Sequence, residues 1–300
     1  MTRENGGSGV TYMAPGQESD RGGPEPRVLA PFGRRSAAVV ENRALGGYRL
    51  VSALDAEGPR PLPGQFYMLA TEERWDSGGE RPYLPRAFSH ARVREEQGAA
   101  ALRLDFLLEA VGPGTERLAA AEPGENLLLV GPLGIGFRQT EGPALLVGGG
   151  IGAAPILALA DELPEPAPVM LGFRNASYAE AGGLFPQPPL LTTDDGSAGR
   201  HALVTEPLRE ALDEAARVDP AARPAVYACG PPPMLEAVRA LCAEREAPAQ
   251  LAMESGMACG FGACFGCVVP TRNGYVRLCV DGPVLDAAEL ETALVAGAGH

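Results

Sequence analysis

Apolar residues in the first half of the chain fall in short runs, SAAVVENRAL, YRLVSAL, GQFYMLAT, AALRLDFLLEAV and ENLLLVGPLG, broken by turn residues. Short, closely spaced runs of this kind, separated by Gly and Pro turns, predict an antiparallel barrel over residues 36–140. The polar, Gly-containing insert from Glu72 to Leu84 reads as a long hairpin loop. The texture then changes. PALLVGGGIGAAPILALADEL is an apolar strand, a glycine turn and a run with helical period, and PVMLGFRN, PPLLTTDDGS, HALVTEPLREALDEAARV and AVYACGPPPMLEAVRALCAER follow in the same style. Strands alternating with helices predict a Rossmann-like parallel sheet with helices on both faces over residues 141–249. Residues 1–35, rich in Gly, Pro, Glu and Arg, read as a disordered leader. Residues 250–300 are a cysteine-rich tail, too short to fold on an apolar core alone. The expected class is α/β plus β, in three units behind a leader.

Composition narrows the partners. Over 300 residues the formal net charge is -13 and the sequence pI about 4.8. A nucleic acid or an anionic membrane would need a basic face to neutralise phosphate, so neither is expected. No apolar run reaches membrane-spanning length and the N-terminus has no export-type apolar core. A cytoplasmic protein without membrane insertion is expected.

Four of the six cysteines crowd into the tail: Cys259, Cys264 and Cys267 in C-x4-C-x2-C spacing, then Cys279. In a long chain without export signals, such crowding reads as a metal site rather than a disulfide scaffold. The spacing is that of a plant-type [2Fe–2S] cluster. Small residues between the ligands let backbone amides close around sulfur, where they stabilise the electron-rich centre. Zinc is the alternative for four thiolates, but zinc sites usually show paired CxxC knuckles and only one is present. Cys242, in a helix-like stretch, reads as a buried structural thiol.

Two further segments carry chemistry. Arg86-Ala87-Phe88-Ser89 offers a cation for a pyrophosphate, an aromatic face for a flavin ring and a hydroxyl for its polar edge. Gly112-Pro113-Gly114-Thr115 is a glycine turn before a helix-like run, a phosphate-binding arrangement to which Thr115 adds a hydroxyl. Taken singly, each also suits an ordinary strand or turn. Gly148-Gly149-Gly150-Ile151-Gly152 joins an apolar strand to a helix, where glycines let a diphosphate approach the helix start. Cys229-Gly230-Pro231-Pro232-Pro233-Met234 ends another strand. Arg174-Asn175 and the acidic turn Asp194-Asp195-Gly196-Ser197 lie where loops over a nucleotide are expected.

In order and spacing these pieces, with GPLGIGF between them, resemble the ferredoxin–NADP reductase superfamily. The tail ESGMACGFGACFGCVV, continued by VRLCVDGPVLDAAEL, resembles the electron-transfer subunits of the NAD-linked, two-subunit (class 1B) dihydroorotate dehydrogenases. The resemblance spans about residues 36 to 290. It implies FAD on the barrel, held by Arg86, Ala87, Phe88, Ser89, Leu107, Leu108, Glu109, Gly114 and Thr115. It implies NAD as electron acceptor on Gly148, Gly149, Gly150, Gly152, Gly230, Pro231 and Met234, with the Cys229 thiol near hydride transfer. Cys259, Cys264, Cys267 and Cys279 match the cluster ligands.

The implied partner is an FMN-type catalytic subunit that oxidises dihydroorotate, in a heterotetramer of two subunits of each kind serving pyrimidine (UMP) biosynthesis. The alternative is a sister flavin/iron–sulfur NAD(P)H reductase subunit feeding a hydrogenase, sulfite reductase or ferredoxin. Two positions depart from the family pattern: Ala87 stands where proline is usual, and Glu109 where a neutral or basic residue is expected, since a carboxylate repels a diphosphate. No general base is needed, so His90 and His201 read as ordinary histidines and His300 as part of a frayed end.

Overall fold

Along β1 (Arg35–Leu45) the side chains of Arg35, Ala37 and Val39 are buried while Ser36, Ala38 and Val40 face out, the alternation of a strand with one wet face. The computed structural model describes residues 27–76, 82–140, 142–219, 221 and 223–295. The leader read for positions 1–35 lies outside the described residues as far as position 26, as does His300. Residues 27–34 have no regular structure, but Val28 accepts a hydrogen bond from Gln65 Nε2 at 3.0 Å.

β1 joins β2 (Tyr48–Asp55), β3 (Phe66–Thr71), β4 (Arg86–Ser89), β5 (Arg92–Glu95), β6 (Leu102–Leu108) and β7 (Asn126–Leu133) in one antiparallel sheet, ordered β4-β3-β7-β1-β2-β6-β5. Only His90 and Ala91 separate its two end strands along the chain, although no ladder joins them. The barrel is therefore open at one seam. Its interior is filled by Val51, Tyr67, Leu69, Leu104, Phe106 and Leu129. A short helix, α1 (Pro113–Ala119), plugs one end through Leu118.

Two polar features are built into this unit. Arg35 and Asp55, both almost wholly buried, pair through Nη2–Oδ2 at 2.6 Å and Nε–Oδ1 at 3.1 Å, and Arg35 also donates to the Gly131 carbonyl. His90 is fully buried, packs edge-on against Tyr67, and among the described residues neither ring nitrogen makes a well-formed hydrogen bond. Burial pushes its pKa down to about 4, with the Gln65 backbone acting the other way. A depressed histidine is neutral in the fold and protonates more readily in the unfolded chain. Its contribution is thus intact above about pH 6.5 and is lost as pH falls towards 4, roughly 3 kcal/mol in all. Urea titrations between pH 7 and pH 4 should show that loss, and a His90→Leu variant should show a shallower one.

The second sheet contains β8 (Ala144–Gly149), β9 (Val169–Phe173), β10 (Leu190–Thr193), β11 (Arg200–His201), β12 (Ala225–Cys229) and β13 (Ala249–Ala252), all parallel, in the order β11-β10-β9-β8-β12-β13. Leu146 faces α2 (Ala153–Glu162). Its neighbours Leu145 and Val147 face the opposite side, towards α4 (Thr205–Val218) and α5 (Pro232–Glu244), the short α3 (Ala176–Ala179) lying between β9 and β10 along the chain. A sheet covered on both faces needs strands apolar on both sides, and β8 and β12 are.

The tail is less separate than its sequence suggests. After the hairpin β14 (Val268–Thr271) and β15 (Gly274–Arg277) and the turn α6 (Leu278–Asp281), strand β16 (Val284–Asp286) adds antiparallel to β13 at the edge of the nucleotide sheet. Cys267, Val269, Leu278, Cys279, Leu285 and Leu290 share one core with Val238 and Leu241 of α5 and with Phe66 and Met68 of the barrel. The tail, too short for an apolar core of its own, is packed on both larger units. No described helix is long and apolar enough to cross a membrane.

Candidate functional site

Cys259, Cys264 and Cys267 sit on the loop between β13 and β14, and Cys279 on α6; all four are free thiols. Cys264 is exposed, Cys259 half-buried, Cys267 and Cys279 buried. Their sulfurs meet in pairs, Cys259 with Cys264 and Cys279 with Cys267, and Cys259 acts electrostatically on Cys279. Among the described residues no three candidate ligands converge as they would around one ion. Two thiolate pairs side by side are the donor set of a two-iron cluster.

The loop backbone is arranged to favour anionic sulfur. Burial would push the Cys259 thiol up, but N–H groups of Cys264, Phe261 and Ala263 aimed at it bring it down to about 6. Cys279 is pushed up to about 12 by burial and by the Cys267 sulfur, against the Gly262 N–H. The Gly266 N–H donates to Cys264 Sγ at 3.4 Å. Gly262 has φ +84°, and a Cβ there would meet Val280 Cγ2 at 2.7 Å, so the wrap requires glycine. Sequence reasoning missed the brace beneath. Arg277 bonds Gly262 O at 3.4 Å, pairs with Asp281 at 3.3 Å and lies 5.7 Å from the Phe265 ring centroid.

The cluster loop rests on the barrel. A Cβ on Gly260 would meet Met68 Cγ at 2.6 Å, and Met68 is the cross-strand partner of Ala87 in β4. The cysteine loop therefore sits on a barrel residue whose strand neighbour belongs to Arg86–Ser89. The segment after the fourth cysteine also locks onto the barrel, because the Ile135 N–H donates to Gly282 O and the Pro283 ring packs against Gly134.

The structure brings Arg86 onto Gly114, where a Cβ would lie 2.8 Å from the guanidinium carbon, so the strand and the glycine turn form one surface. Phe88 lies opposite Tyr67 and Ser89 opposite Phe66. The Thr115 hydroxyl accepts from Val111 and Gly112 N–H groups at 2.9 and 3.1 Å and donates to Gly112 O at 3.0 Å. It therefore holds the turn that the sequence reads as a phosphate site. Leu107 and Leu108 are buried. Glu109 points across to the nucleotide unit, accepting from Arg174 and, at 2.9 Å, from the Tyr178 hydroxyl. That placement accounts for an acid beside a flavin segment: its charge is matched by Arg174, which also lies 4.1 Å from the Tyr178 ring centroid.

In the second sheet the chain runs from β8 outward through β9 and β10 to β11, then returns to β12 and runs the other way to β13. The crevice at the C-terminal ends of β8 and β12 is a topological switch point, where ligands of open α/β sheets bind. Gly148 and Cys229 are register partners there. Gly149 packs on the Met234 sulfur, and a Cβ on Gly230 would lie 2.7 Å from Met234 Cε. Gly150 opens the turn and Pro231 caps α5. A Cβ on Gly152 would overlap the Cys229 carbonyl. Gly152→Ala is expected to cost about 1–3 kcal/mol by pushing α2 off β12, and to weaken nucleotide binding at least tenfold, measurable by urea titration and calorimetry.

Cys229 is buried, and burial together with the charge of Glu254 holds its thiol well above the ordinary range, so it is protonated at neutral pH. Glu254 itself was passed over in the sequence. An acid directly following the apolar strand AQLAM is the signal that would have marked it. Asp195 turns inward on its own loop, accepting from the Ser197 N–H at 2.9 Å, and Ser197 Oγ receives the Ala176 N–H at 2.7 Å.

Comparison with known proteins agrees with this geometry. Residues 254–291 match the iron–sulfur cluster binding domain of dihydroorotate dehydrogenase B. The chain is 34% identical over 263 residues to the dihydroorotate dehydrogenase B (NAD(+)) electron transfer subunit of Caldanaerobacter subterraneus subsp. tengcongensis, covering 86% of this chain and 98% of that one. It is 36% identical over 245 residues to the Geobacillus sp. subunit of the same name, covering 76% and 86%. Among solved structures, the NADH-dependent reduced ferredoxin-NADP oxidoreductase aligns with TM-score 0.68 at 24% identity, covering 87% and 92%. A ferredoxin NADP+ reductase from Neisseria gonorrhoeae with bound FAD and NADP aligns at 0.53 and 16%, covering 71% and 91%. The two structural likenesses establish the fold: an antiparallel barrel on a Rossmann-like sheet. With relatives this similar along nearly their whole length, the chain belongs to the family of electron transfer subunits of NAD(+)-linked dihydroorotate dehydrogenase B.

Proposed function

We propose that this subunit carries electrons from a dihydroorotate-oxidising FMN-type partner to NAD+, with Cys259, Cys264, Cys267 and Cys279 holding a [2Fe–2S] cluster. The observation that carries the reading is the seating of the cysteine loop on Met68, the strand neighbour of Ala87 in Arg86–Ser89. The donor set fits the groups involved. Four thiolates with amide donors suit a two-iron cluster, and the Arg86–Gly114 surface suits the FAD pyrophosphate, with Phe88 and Ser89 at the ring. Gly148 to Gly152 with Gly230, Pro231 and Met234 form the nucleotide cradle. When bound, the cluster carries single electrons and the flavin pairs them for the nicotinamide.

The chain's own part is placement. Arg86 would neutralise phosphate charge, Met68 seats the cysteine loop on the barrel, and Cys229 keeps an uncharged thiol in the crevice. Glu109 and Arg174 tie the two larger units across their boundary. The exposed Cys264 edge gives the partner access in a heterotetramer of two subunits of each kind, in the cytoplasm. Mixing the purified subunit with a dihydroorotate-oxidising flavoprotein subunit of a relative should give NADH formation dependent on dihydroorotate. NAD(P)H-driven reduction of ferredoxin, with no response to dihydroorotate, would favour a sister reductase instead.

A further inference from the structure

We propose that Glu109 selects the nicotinamide nucleotide: by holding Arg174 in an ion pair, it keeps from the crevice the cation placed to receive a ribose 2′-phosphate, and so favours NAD+ over NADP+. The inference rests on the proposed transfer of electrons to NAD+ and names the residue that enforces that choice. The two nucleotides differ by one phosphate on the adenosine ribose, which carries a charge of about -1.5 to -2 at neutral pH. In sheets of this kind the ribose lies past the C-terminal end of the strand beside the glycine turn. There an acid bonds the 2′-hydroxyl, or an arginine takes the 2′-phosphate. In this chain that strand is β9.

Gly172 of β9 is the register partner of Gly149, and Arg174 follows as the first residue beyond the strand. A run of contacts ties it to the glycine turn. A Cβ on Gly150 would lie 3.7 Å from the Tyr48 hydroxyl, the Tyr48 and Tyr178 rings meet edge to face at 5.0 Å, and the Arg174 guanidinium lies 4.1 Å from the Tyr178 ring centroid. By position Arg174 is therefore an arginine of the NADP type, but its charge is engaged. Glu109, at the end of β6, accepts from Arg174 and, at 2.9 Å, from the Tyr178 hydroxyl, which fixes the carboxylate in place. The barrel turn holds α3 close enough for this reach: the Gly47 N–H donates to Ser177 O at 3.1 Å, and a Cβ on Gly47 would meet the Tyr178 ring at 2.6 Å. The Glu109 side chain is 24% exposed and that of Arg174 61%, so a 2′-phosphate drawing the arginine away would strand the more buried charge. The sequence contains no lysine to take its place. Arg200, past the acidic turn, is held by Glu210 at 2.7 and 2.9 Å. Asp194 adds a second acid at this end of the sheet, its N–H bonded to Phe173 O at 3.0 Å. The neutral hydroxyls of NAD+ require none of these groups to move.

Calorimetric titration of the oxidised, cofactor-loaded protein with NAD+ and with NADP+ reads the choice without turnover. The unsubstituted protein should bind NADP+ roughly tenfold or more weakly than NAD+. Glu109→Gln should tighten NADP+ binding about tenfold, leave Kd for NAD+ within about threefold, and make NADP+ binding more sensitive to salt. Adding Arg174→Ala to Glu109→Gln should abolish that gain. Arg174→Ala alone should change the ratio of the two Kd values less than about twofold, because the arginine is already engaged. A gain that survives in the double variant, or a large loss of NADP+ binding in Arg174→Ala alone, would overturn the inference. Equal binding of both nucleotides by the unsubstituted protein would overturn it while leaving the proposed function standing. Failure of that protein to bind NAD+ would overturn both.

Discussion

Replacing Cys264 with serine is expected to strip iron and acid-labile sulfide from the tail and to cut transfer to the partner at least 100-fold. Cys264 is the exposed member of its thiolate pair, and the Gly266 N–H is aimed at its sulfur. Serine offers a far weaker metal ligand at neutral pH, and three remaining thiolates leave one iron short of a ligand. The barrel and the switch-point crevice do not depend on that sulfur, so flavin content and NADH oxidation by a small artificial acceptor should stay within about twofold. Cys242→Ser is the control. That thiol is buried in α5 within the shared core, and its loss should leave iron untouched. Iron and sulfide analysis beside a flavin assay reads both variants. Cys264→Ser with full iron would mean the four thiolates are not the ligands.

Asp55→Ala is expected to cost the barrel about 3–5 kcal/mol, since it leaves the Arg35 guanidinium buried without its counter-charge. Burial disfavours the Asp55 carboxylate, but two bonds from Arg35 and the N–H groups of Gly58 and Glu57 outweigh it and depress the pKa. The sign follows: this pair's contribution is present above the ordinary carboxylate pKa and is lost as pH falls through the depressed one. Arg35 also carries the Gly131 carbonyl of β7, so the loss spreads to the strand between β1 and β3. Urea titration of Asp55→Ala should show the midpoint falling with little change in slope. A variant as stable as its parent would mean water takes over the aspartate's place.

The strands of the barrel, the alternating second unit and the cysteine spacing were all legible because each is a local pattern. Alternation marks β1, a glycine turn marks the start of α2, and C-x4-C-x2-C marks a wrapped loop. What could not be read lay in contacts between distant segments. Nothing local to Met68 shows that it meets Gly260 of the cysteine loop. Glu109 reads as an anomaly until Arg174 and Tyr178 are seen across the boundary. The tail read as a separate unit because β16 adds to β13 from more than thirty residues away in the chain.

The account stands on electrons passing between the nicotinamide crevice and the cysteine loop. Anaerobic addition of NADH to the purified protein, followed by optical and electron paramagnetic resonance spectroscopy, tests it most directly. The expected result is bleaching of the flavin bands together with a half-integer-spin signal from a reduced two-iron centre, with two irons and two sulfides per chain. A colourless protein holding zinc, or a flavin that bleaches with no iron signal, would contradict it.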